Sequence, residues 1–261
     1  MASEASSVRQ TGEDPVSNIL KWVLLFVAIA TFAALGWTTI ATYAEAPPQP
    51  DRFITSNSVV LMTNEDIVRG KEGFQRADLM DYGSLYGMGS YFGEDYTADN
   101  LVKLGTLTQA HVAQKEIGKP LAALTSEQQM GVRASMQAEL KGIDLTAKAA
   151  VVPDALAGAI MTLRAQIADG LLKHDFVKGW TRAYSLDAQA AADTANFLIY
   201  SSLTTVARRP GTDISWTQNW PYEPDEGNTP TTSTFIWTWA SFCFTFFAFG
   251  AVLYIYQRHL S

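Results

Sequence analysis

"ILKWVLLFVAIATFAALGWTTIATY" (residues 19–43) and "TFIWTWASFCFTFFAFGAVLYIY" (234–256) decide how the rest of the chain is read. The first carries one charge, Lys21, and the second carries none. Each supplies the roughly 20 apolar residues that cross the hydrocarbon core of a bilayer. Trp22, Trp37, Tyr43, Trp237, Trp239, Tyr254 and Tyr256 stand toward their ends, where amphipathic rings favour the headgroup layer. The first run is too long for the core of a signal peptide, and no clear small-residue cleavage site follows it. The pattern predicts a disordered tail at 1–18, a membrane span at 19–43, an outer domain at 44–233, a second span at 234–256 and a short tail at 257–261.

Arg9 and Lys21 flank the first span and Arg258 closes the second, whereas "AEAPPQPD" and "DEGNTPTTST" on the inner flanks hold no lysine or arginine. Basic flanks stay in the cytoplasm, so both termini are expected there, with the main domain outside. The chain has 19 basic and 26 acidic residues, a net charge of −7. Setting aside Arg9, Lys21 and Arg258 against Glu4, Glu13 and Asp14 leaves that whole excess on the outer domain. An acidic domain argues against nucleic acid or an anionic membrane as its general partner. The single cysteine, Cys243, lies in the second span, so the sequence has no disulfide framework, thiolate zinc site or covalent haem site.

Helical signals fill the outer domain. "EAPPQPD" (45–51) is a stiff exit from the first span. Asn64 is expected to cap a helix whose stripe is Ile67, Val68, Gly70, Phe74 and Leu79. Thr125 with Gln128 fits a capping box. Pro153 opens a helix with Leu156, Ile160, Leu163, Ile167 and Leu171 at helical spacing, and a last helix is expected over 186–211, ending in Arg208 and Arg209. β-Branched alternation is scarce, and the expected fold class is all-α. The three histidines, His111, His174 and His259, are scattered without metal-site spacing, and no nucleophile triad or phosphate loop occurs. The chain alone has no evident catalytic centre.

Two stretches stand out. One is "GSLYGMGSYFGEDYTADNL" (83–101); the other is "RPGTDISWTQNWPYEPDEGNTPT" (209–231), an aromatic, proline-rich collar just before the second span. Both, with "YAEAPPQPDRF" (43–53), closely resemble quinol-dependent nitric oxide reductases. The resemblance implies two transmembrane helices flanking an extracytoplasmic cytochrome-c-like helical domain without haem, in a bacterial or archaeal cytoplasmic membrane. Related haem-bearing subunits carry Cys-x-x-Cys-His. Lined up on Gly87-Met88-Gly89-Ser90-Tyr91, that motif falls on Leu79, Tyr82 and Gly83, which cannot attach or ligate haem.

The resemblance further implies a calcium ion held by the Gly89 carbonyl and Tyr91 together with carboxylates of a catalytic subunit. Calcium's preference for oxygen ligands agrees with that set. Trp220, Pro221, Tyr222 and Glu223 are the expected quinol cleft or subunit interface. Full-length relatives continue into many more membrane helices carrying b haems and non-haem iron, so a split complex with a multi-helix haem subunit is expected. Tyr82 and its bulky neighbours are expected to fill the former haem pocket. Two further readings stay open: a nitric-oxide-dismutating relative, and a structural or assembly subunit of a haem–copper-type oxidase.

Overall fold

The computed structural model of the chain describes residues 17–181 and 185–260. The predicted tail at 1–18 lies outside them except for its last two residues. The chain divides into two units, the first ending at Ala46 and the second beginning at Pro47.

The first unit is one helix, α1 (Asn18–Ala44), with no buried residue. Three hydroxyls in its last two turns bond its own backbone: Thr38 and Thr39 donate to the Leu35 carbonyl, and Thr42 to that of Thr38. Such bonds let polar side chains sit in a helix that has no water to bind them.

The second unit opens with a small sheet that the all-α expectation missed. Strands β1 (Arg52–Thr55) and β2 (Val60–Thr63) form an antiparallel pair with an irregularity after Phe53. Strand β5 (Ala149–Val152) lies parallel to β1, Arg52 opposite Ala149 and Thr55 opposite Val152, giving the order β2-β1-β5. Each strand has four residues, too few for a two-residue period to show in the sequence. A two-residue-strand hairpin, β3 (Ser84–Leu85) and β4 (Met88–Gly89), is the other sheet.

Helix α2 (Asn64–Arg76) is capped by Thr63 rather than Asn64. The Thr63 hydroxyl accepts from the Asp66 amide at 3.2 Å while the Asp66 carboxylate accepts from the Thr63 amide at 2.8 Å. Extended Thr63 ends β2 and can turn its hydroxyl onto the helix, whereas Asn64 is already helical and donates to Gln49 instead. Helix α3 (Tyr96–Glu116) follows the hairpin, and α4 (Ser126–Lys141) opens with the Thr125–Gln128 capping box expected from sequence.

Helix α5 (Asp154–Lys173) follows Pro153 as expected. By length and composition it is a third helix able to cross a membrane, where the sequence predicts two. Its mean hydropathy is 1.2, with 44 % of that window buried inside the domain, against 2.2 and 1.7 with nothing buried for the terminal helices. Leu156, Ile160, Leu163, Ile167 and Leu171 all lie in the core. A helix packed on several sides is apolar nearly all round, and composition alone cannot tell it from a span.

Helix α6 (Ala188–Leu203) stops eight residues short of its expected end. Beyond it the buried hydroxyls of Thr204 and Thr205 donate to the carbonyls of Ser201 and Ser202, and the chain tightens into turns. Arg208 and Arg209 therefore fall in a loop, not on a helix end. α2 and α6 pack closely because Gly70 faces α6: a methyl there would lie 1.9 Å from the Asp193 carbonyl oxygen. The last helix, α7 (Thr232–Leu260), absorbs most of the predicted short tail. Thr238 and Thr245 donate to the carbonyls four residues back, as in α1.

Candidate functional site

The interior below the 83–101 stretch is filled with aromatic rings. Phe74 meets Tyr96 edge-on at 5.9 Å and Phe197 at 5.5 Å, while Tyr96 stacks on Phe176 at 5.6 Å. Trp180, also buried, donates its indole N–H to the Ala77 carbonyl at 2.8 Å. Leu79 is wholly buried, and its carbonyl accepts from the Tyr96 hydroxyl at 2.9 Å. Burial pushes the Tyr96 phenol far above its ordinary range, so it stays a donor. Tyr82 and Phe176 are only partly buried and pack against this core; Leu79 and the rings of Phe74, Tyr96, Phe197 and Trp180 fill it. Gly83 has no room for a side chain: a Cβ there would lie 2.6 Å from both the Glu94 carbonyl oxygen and the Tyr96 ring. A side chain at this position would require the Glu94 backbone and the Tyr96 ring to shift.

Above this floor the β3–β4 hairpin turns at Tyr86 and Gly87, both with positive φ (54° and 74°). That is the backbone a two-residue hairpin requires. Asp95 fixes it. One carboxylate oxygen accepts from the Ser84 hydroxyl and the Gly87 amide, both at 2.7 Å; the other accepts from the amides of Thr97 and Ala98 at 3.0 Å, capping α3. The Ser90 amide donates to the carbonyls of Met80 and Gly83 at 3.0 Å. The Tyr86 hydroxyl bonds Thr204 at 2.9 Å. The segment that leaves this hairpin is apolar and open: Tyr91 and Phe92, two and three residues after β4, are 93 % and 97 % exposed, and Met88 in β4 is exposed too. Gly89 is exposed too. Asp95 is fully engaged, and among the described residues no three His, Cys, Asp or Glu side chains converge as a metal cage.

The collar meets this hairpin. A Cβ on Gly87 would lie 3.4 Å from the Trp220 ring, so the two stretches singled out by sequence form one surface. Trp220–Pro221 is a cis peptide. Pro221 is buried, and its carbonyl accepts from the Asn228 amide side chain at 2.9 Å. Glu223 and Asn228 exchange backbone hydrogen bonds at 2.9 Å, closing the turn around Pro224–Glu226. Arg133 and Gln137 of α4 hold Asp225 at 2.6 and 2.8 Å. Tyr222 stays exposed. Burial, then Asp225, raises the Glu223 carboxyl above its usual range.

Sequence reading passed over Glu226. It is 4 % exposed and set against α3, where a Cβ on Gly105 would lie 2.7 Å from its side chain. Burial, reinforced by Glu223 and Asp225, pushes its carboxyl up to about 7. In the string Pro-Asp-Glu-Gly nothing separates it from solvated Asp225. Asp95 was legible, since an aspartate directly ahead of a helix is an N-cap signal.

Beside the hairpin lies a groove of about 440 Å³ whose walls include Tyr86, Phe197, Tyr200, Trp216 and Thr217. None of Trp220, Pro221, Tyr222 and Glu223 lines it. Tyr200 donates to the carbonyls of Pro47 and Pro48 at 3.4 and 3.2 Å, pinning the proline strap to α6. The Trp216 ring lies under the Arg209 guanidinium at 5.1 Å, and its enclosed indole N–H has no partner. Two of the three histidines have described side chains. His111 is exposed over Gly158, whereas His174 is half-buried against Trp180 at 4.7 Å and is not simply a solvated residue. The side chain of His259 lies outside the described residues.

No curated protein matches the chain significantly. The family model for the NorB cytochrome c-like domain of nitric oxide reductase matches residues 50–222, more than half of the 261 residues. That span takes in the filled aromatic core, the Asp95-clamped hairpin and the collar as far as Tyr222, and the chain belongs to the NorB family of nitric oxide reductases through this cytochrome c-like domain.

Proposed function

We propose that this chain is a non-catalytic anchor and cap of a quinol-type nitric oxide reductase. Its apolar terminal helices hold it in the membrane, both termini in the cytoplasm and the cytochrome c-like domain outside. The partner is a multi-helix protein carrying b haems and non-haem iron, on which two molecules of nitric oxide become N2O and water with electrons from membrane quinol. Two features support a domain without haem: a side chain at position 83 would press on the Glu94 backbone and the Tyr96 ring, and Leu79 with the buried rings of Phe74, Tyr96, Phe197 and Trp180 occupies the interior.

The observation that carries the reading is the exposed aromatic pair just after the hairpin. Between the Asp95-clamped hairpin and the capped start of α3, Tyr91 and Phe92 stand almost wholly in solvent. Exposed aromatic residues on a fixed support mark a contact surface. Gly89 and Tyr91 offer two oxygen ligands on that surface, which fits half of a calcium site whose carboxylates come from the partner. The collar at Trp220–Glu223 adjoins the same surface and would line the interface or the quinol cleft.

Co-expression with a multi-helix haem protein of the same organism, sought first among its genomic neighbours, tests this. Copurification and a changed haem spectrum are expected, and independent purification with no spectral change would sink the proposal. Gas analysis separates the chemistry: N2O identifies a reductase, N2 with O2 a dismutating relative. Stable assembly with a haem–copper-type oxidase and no nitric oxide turnover would identify a structural subunit instead.

A further inference from the structure

The groove walled by Tyr86, Phe197, Tyr200 and Trp216 includes a residue that follows α1 closely in the sequence. Pro47, on its rim, follows the last residue of α1 by three positions. Thr217 lines it, and the neighbouring Gln218 accepts from the Thr231 amide at 3.2 Å and hydroxyl at 3.3 Å. Thr231 directly precedes α7. Aromatic walls at such a place match the headgroup layer of a bilayer.

The charge of the groove runs against that of the domain. No acidic side chain lines it, whereas Lys71, exposed on α2, does. Arg209 adds positive potential over the Trp216 ring. The hydroxyl protons are largely committed: Tyr200 donates to Pro47 and Pro48, and Tyr86 is paired with Thr204. What remains on the walls is the Lys71 ammonium and the Gln49 side-chain amide, while the Trp216 N–H is unpartnered but closed off from the surface. A cation and an amide donor in an apolar cleft of about 440 Å³ suit an acceptor-rich anionic group attached to hydrocarbon.

We propose that this groove binds the headgroup of an anionic membrane phospholipid, its phosphodiester on Lys71 and its glycerol against the tyrosine rings. The proposal rests on the membrane reading and not on the nitric oxide chemistry, so failure of copurification leaves it standing. The test is native mass spectrometry of the full chain in mild detergent, titrated with phosphatidylglycerol or phosphatidylcholine. Wild type should retain one phosphatidylglycerol preferentially, and millimolar inorganic phosphate should not displace it. Lys71→Gln should weaken that adduct about fivefold, the worth of one lysine at a charged surface, Lys71→Arg should restore it, and the control Lys141→Gln should leave it unchanged. Lys71 is exposed, so an unchanged Tm certifies the variants. Equal retention of the two lipids, indifference to Lys71→Gln, displacement by free phosphate, or one-for-one displacement by a short-chain quinone would each overturn the assignment.

Discussion

The hairpin at 84–89 and the collar at 216–228 touch at Gly87 and Trp220, yet they are held in opposite ways. In the hairpin, one carboxylate accepts four hydrogen bonds and the Ser90 amide reaches two carbonyls. In the collar, the Trp216 N–H is enclosed without a partner and Glu226 is a buried acid raised to about 7. Satisfied polar groups make a rigid support, while unsatisfied ones mark where a structure tolerates a cost. The hairpin is a fixed support for the aromatic pair that follows it, and the collar is the part whose energy depends on pH and on what binds it.

The sharpest way to break the hairpin side of this comparison is Gly83→His, which restores the residue type found in haem-bearing relatives. Its Cβ alone would fall 2.6 Å from the Glu94 carbonyl oxygen and the Tyr96 ring. Overpacking against backbone should destabilise by at least about 3 kcal/mol, read as a fall in the midpoint of chemical unfolding. Retention of wild-type stability would show that the floor beneath the hairpin is looser than described. Asp95→Ala comes next. It removes the α3 cap and the hairpin clamp together, and about 2–3 kcal/mol should be lost. For a domain of this size that is on the order of 5–10 °C in Tm.

Glu226 sharpens the collar side. Its folded value of about 7 lies above the ordinary 4.5, so the native state holds its proton more tightly than the unfolded chain. Its contribution is neutral below about pH 4.5, and stability should fall as pH rises from there toward 7, then level off. Glu226→Gln removes the ionisation. The variant should match wild type near pH 4.5 and exceed it by on the order of 3 kcal/mol above pH 7. A constant offset across that window would mean that the carboxyl is solvated.

These features differ in how far the sequence discloses them. The terminal helices were legible because 20 apolar residues with aromatic ends have few other uses. The capping box at Thr125 and the start of α5 after Pro153 were legible because local chemistry specifies them. The sheet was hidden: β1 and β5 are four residues each and pair across nearly a hundred positions. α5 carries the stripe read from sequence, but its membrane-like composition is a consequence of packing that only the fold reveals. The α2 cap shifted by one residue because β2 runs directly into it. Glu226 and the Trp216 groove were illegible for a shared reason. Burial of a collar residue depends on where α3, α4 and α6 bring their faces, and no local pattern encodes that.

The smallest effect on stability belongs to the exposed aromatic pair, and it carries the most information about function. Tyr91 and Phe92 follow the clamped hairpin with their side chains almost wholly in solvent. Truncating both to alanine removes almost no buried surface, so the unfolding midpoint should change by less than about 0.5 kcal/mol. If the pair is a contact surface, the same double variant should lose its multi-helix partner, because exposed aromatic anchors concentrate binding energy. The Glu226→Gln variant, altered inside the collar, should keep that partner. A double variant that still copurifies would move the interface elsewhere on the domain, and a destabilised one would mean that the hairpin depends on the pair. The contrast between a rigid presenter and a pH-sensitive collar therefore turns on whether stability and assembly separate at residues 91 and 92.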